Sequence, residues 1–282
     1  MDAPAKTIAR RLLPHSLYRR YRKHKVASLI ADYTTRDVTH KFGRATLLVH
    51  LADPLAEGWY DHDWDELAAI SFLRDQQVLA PGATVFDVGA HQAVVALMLA
   101  HEVGEAGQVV AIEAEPHNAR VAALNRDLNK ARNLTVRHAA GASNAGVISF
   151  ANGLNGQIDE RTTAGNVNVI AVTVDGLAQE YGRPDLVFID VEGYEGHVLR
   201  GATSTLANGS TSFLVEVHDA LTSYGGSSDE IADCFLGFDR YVAIAEHEPF
   251  VALKGLPHAG RFFLIAIPAT GDRHEPARPD NS

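Results

Sequence analysis

The sequence predicts an α/β protein built on an open, mostly parallel sheet, and two observations carry that expectation. The first is the block Val85 to Leu99, VFDVGAHQAVVALML. Apolar residues lead to Asp87, a Gly89-Ala90 turn follows, and the segment from Ala93 to Ala100 is almost wholly apolar. This is the pattern of a buried strand, a tight turn and a buried helix. The second is Glu113, which ends a short apolar strand 24 positions after Gly89. At that spacing a strand-end carboxylate accepts hydrogen bonds from a ribose diol. Ligands of open α/β sheets bind outside the carboxyl ends of the strands, so Asp87 and Glu113 stand at the mouth of a candidate site. Taken singly, each also fits an ordinary buried turn or a solvated strand-end acid.

Whole-chain properties narrow the function classes. The 282 residues, 46% apolar and 21% charged, suit one large soluble domain with additions. The single cysteine, Cys234, leaves no internal disulfide framework and suits a reducing, cytoplasmic setting. No apolar run approaches the roughly 20 residues that span a bilayer. The net charge of −10 conceals a basic run without an acid: Lys6, Arg10, Arg11, Arg19, Arg20, Arg22, Lys23 and Lys25. The rest of the chain is therefore still more acidic, which argues against a nucleic-acid partner. The arm suits peripheral contact with an anionic membrane, an acidic partner, or packing as a solvated helix on its own acidic body.

Taken in order, Ala45 to Leu51 reads as a strand ended by Asp53-Pro54. Gly58 to Trp64, GWYDHDW, is dense in aromatic and titratable groups, as in a ligand lid or an amphipathic packing segment. Glu66 to Leu79 has near-helical apolar spacing and stops before Pro81-Gly82. Gln108 to Ile112 is a strand, and Pro116 to Ala131 a helix with Pro116 in its first turn. Leu134 to Ala140 is a further strand. Gly146 to Phe150 and Val167 to Val174 resemble a hairpin pair around the polar loop from Asn152 to Asn166. Leu186 to Ile189 is a buried strand that ends in Asp190-Val191-Glu192-Gly193, with a helix Tyr194 to Leu206 behind it. Phe213 to Val217 carries Glu216 into His218, Ser227 and Glu230 fit a capping box, and Arg240 to Ala245 and Arg261 to Ile267 are the last strands. The charged tail reads as disordered. The expected organisation is a basic arm and cap region over 1–64, a sheet domain over 65–268 and a tail over 269–282.

From about Asp65 to Asp219 the chain resembles the FkbM family of S-adenosylmethionine-dependent methyltransferases. The resemblance rests on VFDVGA (85–90), VVAIEAEPHN (109–118), VTVDGL (172–177), DLVFIDVEGYEGHVLRGA (185–202) and LVEVH (214–218). It implies a Rossmann-like class I methyltransferase fold: a mostly parallel, seven-stranded sheet with helices on both faces, plus an N-terminal extension. It also implies S-adenosyl-L-methionine as cofactor. Asp87, Gly89 and Ala90 would face its methionine moiety with His91 beside them, Glu113 its ribose next to Ala114, and Ala140 with Gly141 its adenine edge. Ala93 stands where the family usually has glycine, and Phe188 where a lysine is common.

Methyl transfer to an alcohol calls for a group that takes the hydroxyl proton. His218 is the first candidate, since a neutral imidazole accepts a proton near pH 7. Asp190 and Glu216 are the alternatives, and Asp190 suits the cofactor's amino group as well. No metal is expected, although Asp190, Glu192 and Glu216 would also suit Mg2+. The function expected is O-methylation of a hydroxylated small molecule, such as a sugar of a glycolipid or natural product. A methyltransferase-like module that is inactive and binds a partner is the alternative, with Ala93 in its favour. Neither reading excludes a homo-oligomer.

Overall fold

The computed structural model describes residues 27–151, 157–158, 167–253 and 260–269. The basic run, most of the 152–166 loop and the tail from 270 lie outside the described residues.

After a short helical segment over 27–31, the described residues form an antiparallel hairpin, β1 (Arg36–Phe42) and β2 (Ala45–Leu51), of which only β2 was legible in the sequence. Then come α1 (Pro54–Tyr60), α2 (Ala68–Asp75), β3 (Thr84–Val88), α3 (Val94–Val103), β4 (Gln108–Glu113), α4 (Pro116–Leu128) and β5 (Leu134–His138). A small second sheet follows from β6 (Ala140–Gly141), β7 (Gly146–Ala151), β8 (Gln157–Ile158) and β9 (Val167–Val172). The chain ends with α5 (Val174–Tyr181), β10 (Leu186–Ile189), α6 (Glu195–Arg200), α7 (Thr203–Ala207), β11 (Ser212–Val217), a 3-10 turn over Asp219–Tyr224, α8 (Ser228–Asp233), β12 (Phe238–Ala243), β13 (Val251–Ala252) and β14 (Phe262–Pro268).

The main sheet has the order β13-β12-β14-β11-β10-β3-β4-β5. The strands from β11 to β5 run parallel, while β14, β12 and β13 close the other end antiparallel. These are the seven strands the resemblance implies, plus the two-residue β13 at the edge. The chain runs from β3 outward to β4 and β5, then crosses back to β10 on the other side of β3. The switch point of this Rossmann-like sheet thus lies where β4, β3 and β10 end, which is where such sheets hold ligands.

Two elements depart from the sequence reading. The expected helix from Tyr194 to Leu206 divides into α6 and α7 at Gly201, whose Cα approaches the Ala142 carbonyl so closely that a Cβ would lie 2.1 Å from its oxygen. The expected strand through Ala140 stops at His138. Ala139 N–H bonds the Glu113 carbonyl, and Ala140 and Gly141 then pair with Ala171 and Val172 in the second sheet.

One core holds the N-terminal hairpin against the domain: Phe42, Val49 and Leu51 are buried in the same cluster as Leu73, Val85, Leu97, Phe188 and Leu214. The outer edge of β2 is bonded by side chains of α4 and of its C-cap residue, Asn129. Asn129 Oδ1 accepts from Leu48 N–H (3.0 Å) while its Nδ2 donates to the Leu48 carbonyl (2.7 Å), and Asn125 Oδ1 accepts from His50 N–H (2.8 Å). Two asparagines four residues apart lie on one helix face, so they act together as a substitute strand.

Candidate functional site

Side chains on a strand alternate between faces. Asp87 pairs in register with Phe188 and Ala111, and Phe188 with Leu214. Asp87, Glu113, Asp190 and Glu216 therefore share the face that carries α3, close to the carboxyl ends of four adjacent strands. A cavity opens there, about 660 Å3 with the open solvent at its mouth included, lined by Gly89, His91, Glu113, Ala114, Ala140, Gly141, Asp190 and Glu192, with Trp59, Ile112, Asn118, Ala139 and Val191.

The turn after β3 is set by close approach. Gly89 has φ +102°, and a Cβ on it would lie 1.7 Å from the Asp190 carbonyl oxygen. Glycine is required here by the neighbouring strand end, in addition to any ligand. The N–H groups of Gly89 and Ala90 both bond the Ile112 carbonyl (2.8 and 3.1 Å), which ties the turn to β4. Ala93 adopts the left-handed conformation (φ +64°) that favours glycine, but it is fully buried and does not line the cavity.

Glu113 is held at the cavity wall by His91 N–H on one oxygen (2.7 Å) and Glu115 N–H on the other (2.6 Å). Burial pushes its pKa to about 8; the two N–H bonds oppose that shift, and the charges of Glu115 and Asp87 add to it. Burial likewise brings Asp87 to about 7, and its Oδ2 has no hydrogen-bond partner among the described residues. Asp87 and Ala90 are buried and do not line the cavity themselves.

A cap over this end comes from the aromatic segment singled out in the sequence. Trp59 lines the cavity with its ring 5.0 Å from that of His91, and Tyr60 OH bonds His91 Nδ1 at 2.9 Å. The segment is anchored by Asp53, which is buried. One Asp53 oxygen caps α1 by accepting from Leu55 and Ala56 N–H, both at 2.9 Å, and the other accepts from Gln92 Nε2 (2.7 Å) and His117 Nε2 (2.9 Å).

The other end of the site is a cluster around His218. Its Nδ1 bonds Glu195 Oε1 (2.7 Å), which also accepts from Gly193 N–H (2.8 Å), and its Nε2 lies 2.9 Å from Glu216 Oε1. Asp190 Oδ1 and Glu192 Oε2 lie 3.6 and 3.9 Å from the same Nε2. Burial would lower the pKa of this imidazole, but the bonds to Glu195 and Glu216 and the charge of Asp190 raise it to about 11. This corrects the expectation of a neutral His218: with these partners it is an imidazolium near pH 7 and has no free site for a proton. Burial and the charge of Glu216 raise the pKa of Asp190 well above the ordinary carboxylate range. Glu216 also pairs with Arg261, which reaches Glu246 at 2.7 Å.

The structure thus brings His218, Asp190 and Glu216 together, with Asp190 alone of the three in the cavity wall. Sequence reasoning missed Asn118, Glu195, Asp53 and Arg261. A weak signal existed for Asp53, since an aspartate before proline is a helix-start pattern. None existed for Glu195, whose importance lies in a partner 23 residues away.

A family model for the methyltransferase FkbM domain matches residues 87–241, more than half of the chain. No curated protein gives a match. Among solved structures, the methyltransferase FkbM from Methylobacillus flagellatus is similar at 16% identity with a TM-score of 0.41, over 65% of this chain and 43% of that one. This chain therefore spans less than half the length of that relative. An S-adenosylmethionine-dependent O-methyltransferase from Thermotoga maritima is similar at 14% identity (TM-score 0.45, 80% and 75% covered). The fibrillarin of Aeropyrum pernix, solved with natively bound S-adenosylmethionine, is similar at 14% identity (TM-score 0.39, 67% and 68% covered). The family match spans both ends of the site, from Asp87 through Glu113 and the Asp190–Gly193 block to His218, and the chain belongs to the FkbM family of S-adenosylmethionine-dependent methyltransferases.

Proposed function

We propose that the protein methylates a hydroxyl group of a small molecule, such as a sugar of a glycolipid or natural product. The observation that supports this reading is that one cavity is walled at one end by Gly89, Glu113 and Asn118 and at the other by Asp190 and Glu192, with His218 behind them.

The residues of the first end fit the cofactor. Glu113, fixed by two N–H donors, still has lone pairs for the two hydroxyls of a ribose. Asp87 has an unpartnered buried oxygen beneath the same turn, and Ala140 and Gly141 line the wall where the adenine would lie. When bound, the cofactor supplies an electrophilic methyl group. Trp59 lines the cavity on the cap side, with Tyr60 holding His91 behind it, where an aromatic wall limits the access of water.

The residues of the second end suit an acceptor hydroxyl. Asp190 in the wall accepts its hydrogen bond, orients its oxygen and takes its proton as the methyl group leaves the sulfonium. His218 and Glu216 act behind it: the imidazolium balances part of the carboxylate charge, and Arg261 fixes Glu216. The alternative of an inactive binding module drew on Ala93, whose methyl lies outside the cavity wall.

Transfer of radiolabelled methyl from S-adenosylmethionine to a panel of hydroxylated glycosides and polyketides tests the reading. Ether products are expected, with transfer lost in Asp190→Asn. A protein that binds S-adenosylhomocysteine but methylates only nitrogen or carbon acceptors would overturn it.

A further inference from the structure

We propose that Asp190, Glu192 and His218 form a binding site for one divalent transition cation at the acceptor end of the cavity. The donor set is one imidazole nitrogen and two carboxylate oxygens, a mixture that suits Mn2+ or Zn2+ better than Mg2+. It differs from the three carboxylates that the sequence offered as an alternative while no metal was expected.

Geometry makes the first argument. Two ligands about 2.0–2.2 Å from one ion stand roughly 3.0–3.5 Å apart, depending on the coordination angle. Asp190 Oδ1 and Glu192 Oε2 lie 3.6 and 3.9 Å from His218 Nε2, too far for hydrogen bonds and only a few tenths of an ångström beyond that separation. The three ligand atoms all lie within 4.8 Å of one another. The remaining gap is a few tenths of an ångström, the scale of a small side-chain rotation.

The imidazole is also oriented for this task. Its Nδ1–H is directed at the fully buried Glu195, whose oxygen is pinned in turn by Gly193 N–H. A carboxylate on the far nitrogen fixes the tautomer and aims Nε2 at the cluster, as in many metal sites. Charge makes the third argument. Among the described residues, Asp190, Glu195 and Glu216 all face His218, with Arg261 as a second cation on Glu216. Beneath them Asp87, whose charge also bears on Asp190, buries an oxygen without a partner among the described residues. This concentration of acidic groups around one imidazole favours a further cation.

On loading, the imidazolium releases its Nε2 proton to solvent and the cation takes its place; no electrons change hands. Beside the cavity the ion would polarise an acceptor hydroxyl, and that role rests on the hydroxyl-methylation reading. The site itself does not.

The test is a Mn2+ titration of the full chain, stripped with chelator, followed by electron paramagnetic resonance at neutral pH. One Mn2+ per chain is expected, with nitrogen coupling from the imidazole in pulsed spectra. Glu192→Gln should weaken binding at least about tenfold, and Glu248→Gln, on an exposed loop, should leave it unchanged. The melting temperature of Glu192→Gln in chelator, equal to that of wild type, verifies its fold. No saturable binding below about 1 mM, no nitrogen coupling, or undiminished affinity in Glu192→Gln would each overturn the site. A calorimetric titration with S-adenosylhomocysteine on the same sample separates the two readings. Cofactor binding without Mn2+ binding rejects the metal site alone. Mn2+ binding without cofactor binding supports the site and removes its role in methyl transfer.

Discussion

Removing the Asp53 carboxylate should loosen the cap over the cavity and destabilise the whole domain, by an amount that follows from its partners. Asp53→Ala deletes the acceptor of two α1 N–H groups and leaves Gln92 Nε2 and His117 Nε2 without this partner in a buried setting. Loss of the helix cap costs about 1 kcal/mol, and each buried donor left unsatisfied costs about 1–3 kcal/mol. The expected total is about 3–7 kcal/mol, or on the order of 10–20 °C in melting temperature for a domain of this size. Asp53→Asn keeps the cap and should lose about half as much. Both tryptophans, Trp59 and Trp64, sit in the anchored segment. In urea, tryptophan fluorescence therefore reports the cap, and far-ultraviolet circular dichroism reports the whole chain. In Asp53→Ala the fluorescence transition should precede the dichroism transition. Burial alone would raise the Asp53 pKa, but the bonds from His117, Ala56 N–H and Gln92 outweigh it and lower the pKa below 3.8. Its stabilisation is thus present above the unfolded value and is lost as pH falls through the folded one, so the difference between wild type and Asp53→Asn should shrink in acid. A loss under about 1 kcal/mol in Asp53→Ala would refute the reasoning.

Three further outcomes follow from the site and its support. Glu113 is raised from 4.5 to about 8, so its ionisation costs stability as pH rises between those values. Urea titrations should show Glu113→Gln gaining on wild type from pH 5 to pH 8, while calorimetry shows its affinity for S-adenosylhomocysteine falling at least about tenfold. Gly89→Ala places a methyl 1.7 Å from the Asp190 carbonyl at φ +102°. Thermal melting should show a loss of about 2–4 kcal/mol, and cofactor binding should fall with it because the strand ends are forced apart. Asn129→Ala removes both bonds to Leu48 and should cost about 1–3 kcal/mol in urea without changing cofactor affinity, since Asn129 lies outside the cavity wall.

Much of the fold and part of the site were legible in the sequence because their physics is local. Strands β3, β4, β10 and β11 were visible as short apolar runs, and the Ser227–Glu230 capping box as a pair three residues apart, which the structure contains as expected. Asp87 and Glu113 could be placed at strand ends because a strand's length and the following turn are written within a few residues. β1 was invisible because its solvent-facing pattern, with Phe42 its only fully buried residue, carries too few apolar positions. The interrupted helix at Gly201 was invisible because its cause, the Ala142 carbonyl, lies far away in sequence.

The sequence by itself determined the alternation of strands and helices, the strand-end acids and the family, since all of these reside in period, spacing and motif. Only the tertiary structure decided the protonation of His218. Glu195, Glu216 and Asp190 come from three different elements, and their combined field acts only after the sheet has brought them within 4 Å of one imidazole. The same holds for Asp53, whose partners on the β3 turn and α4 become neighbours only through packing. Charge state and anchoring depend on distance and burial, and neither quantity exists until the chain has folded.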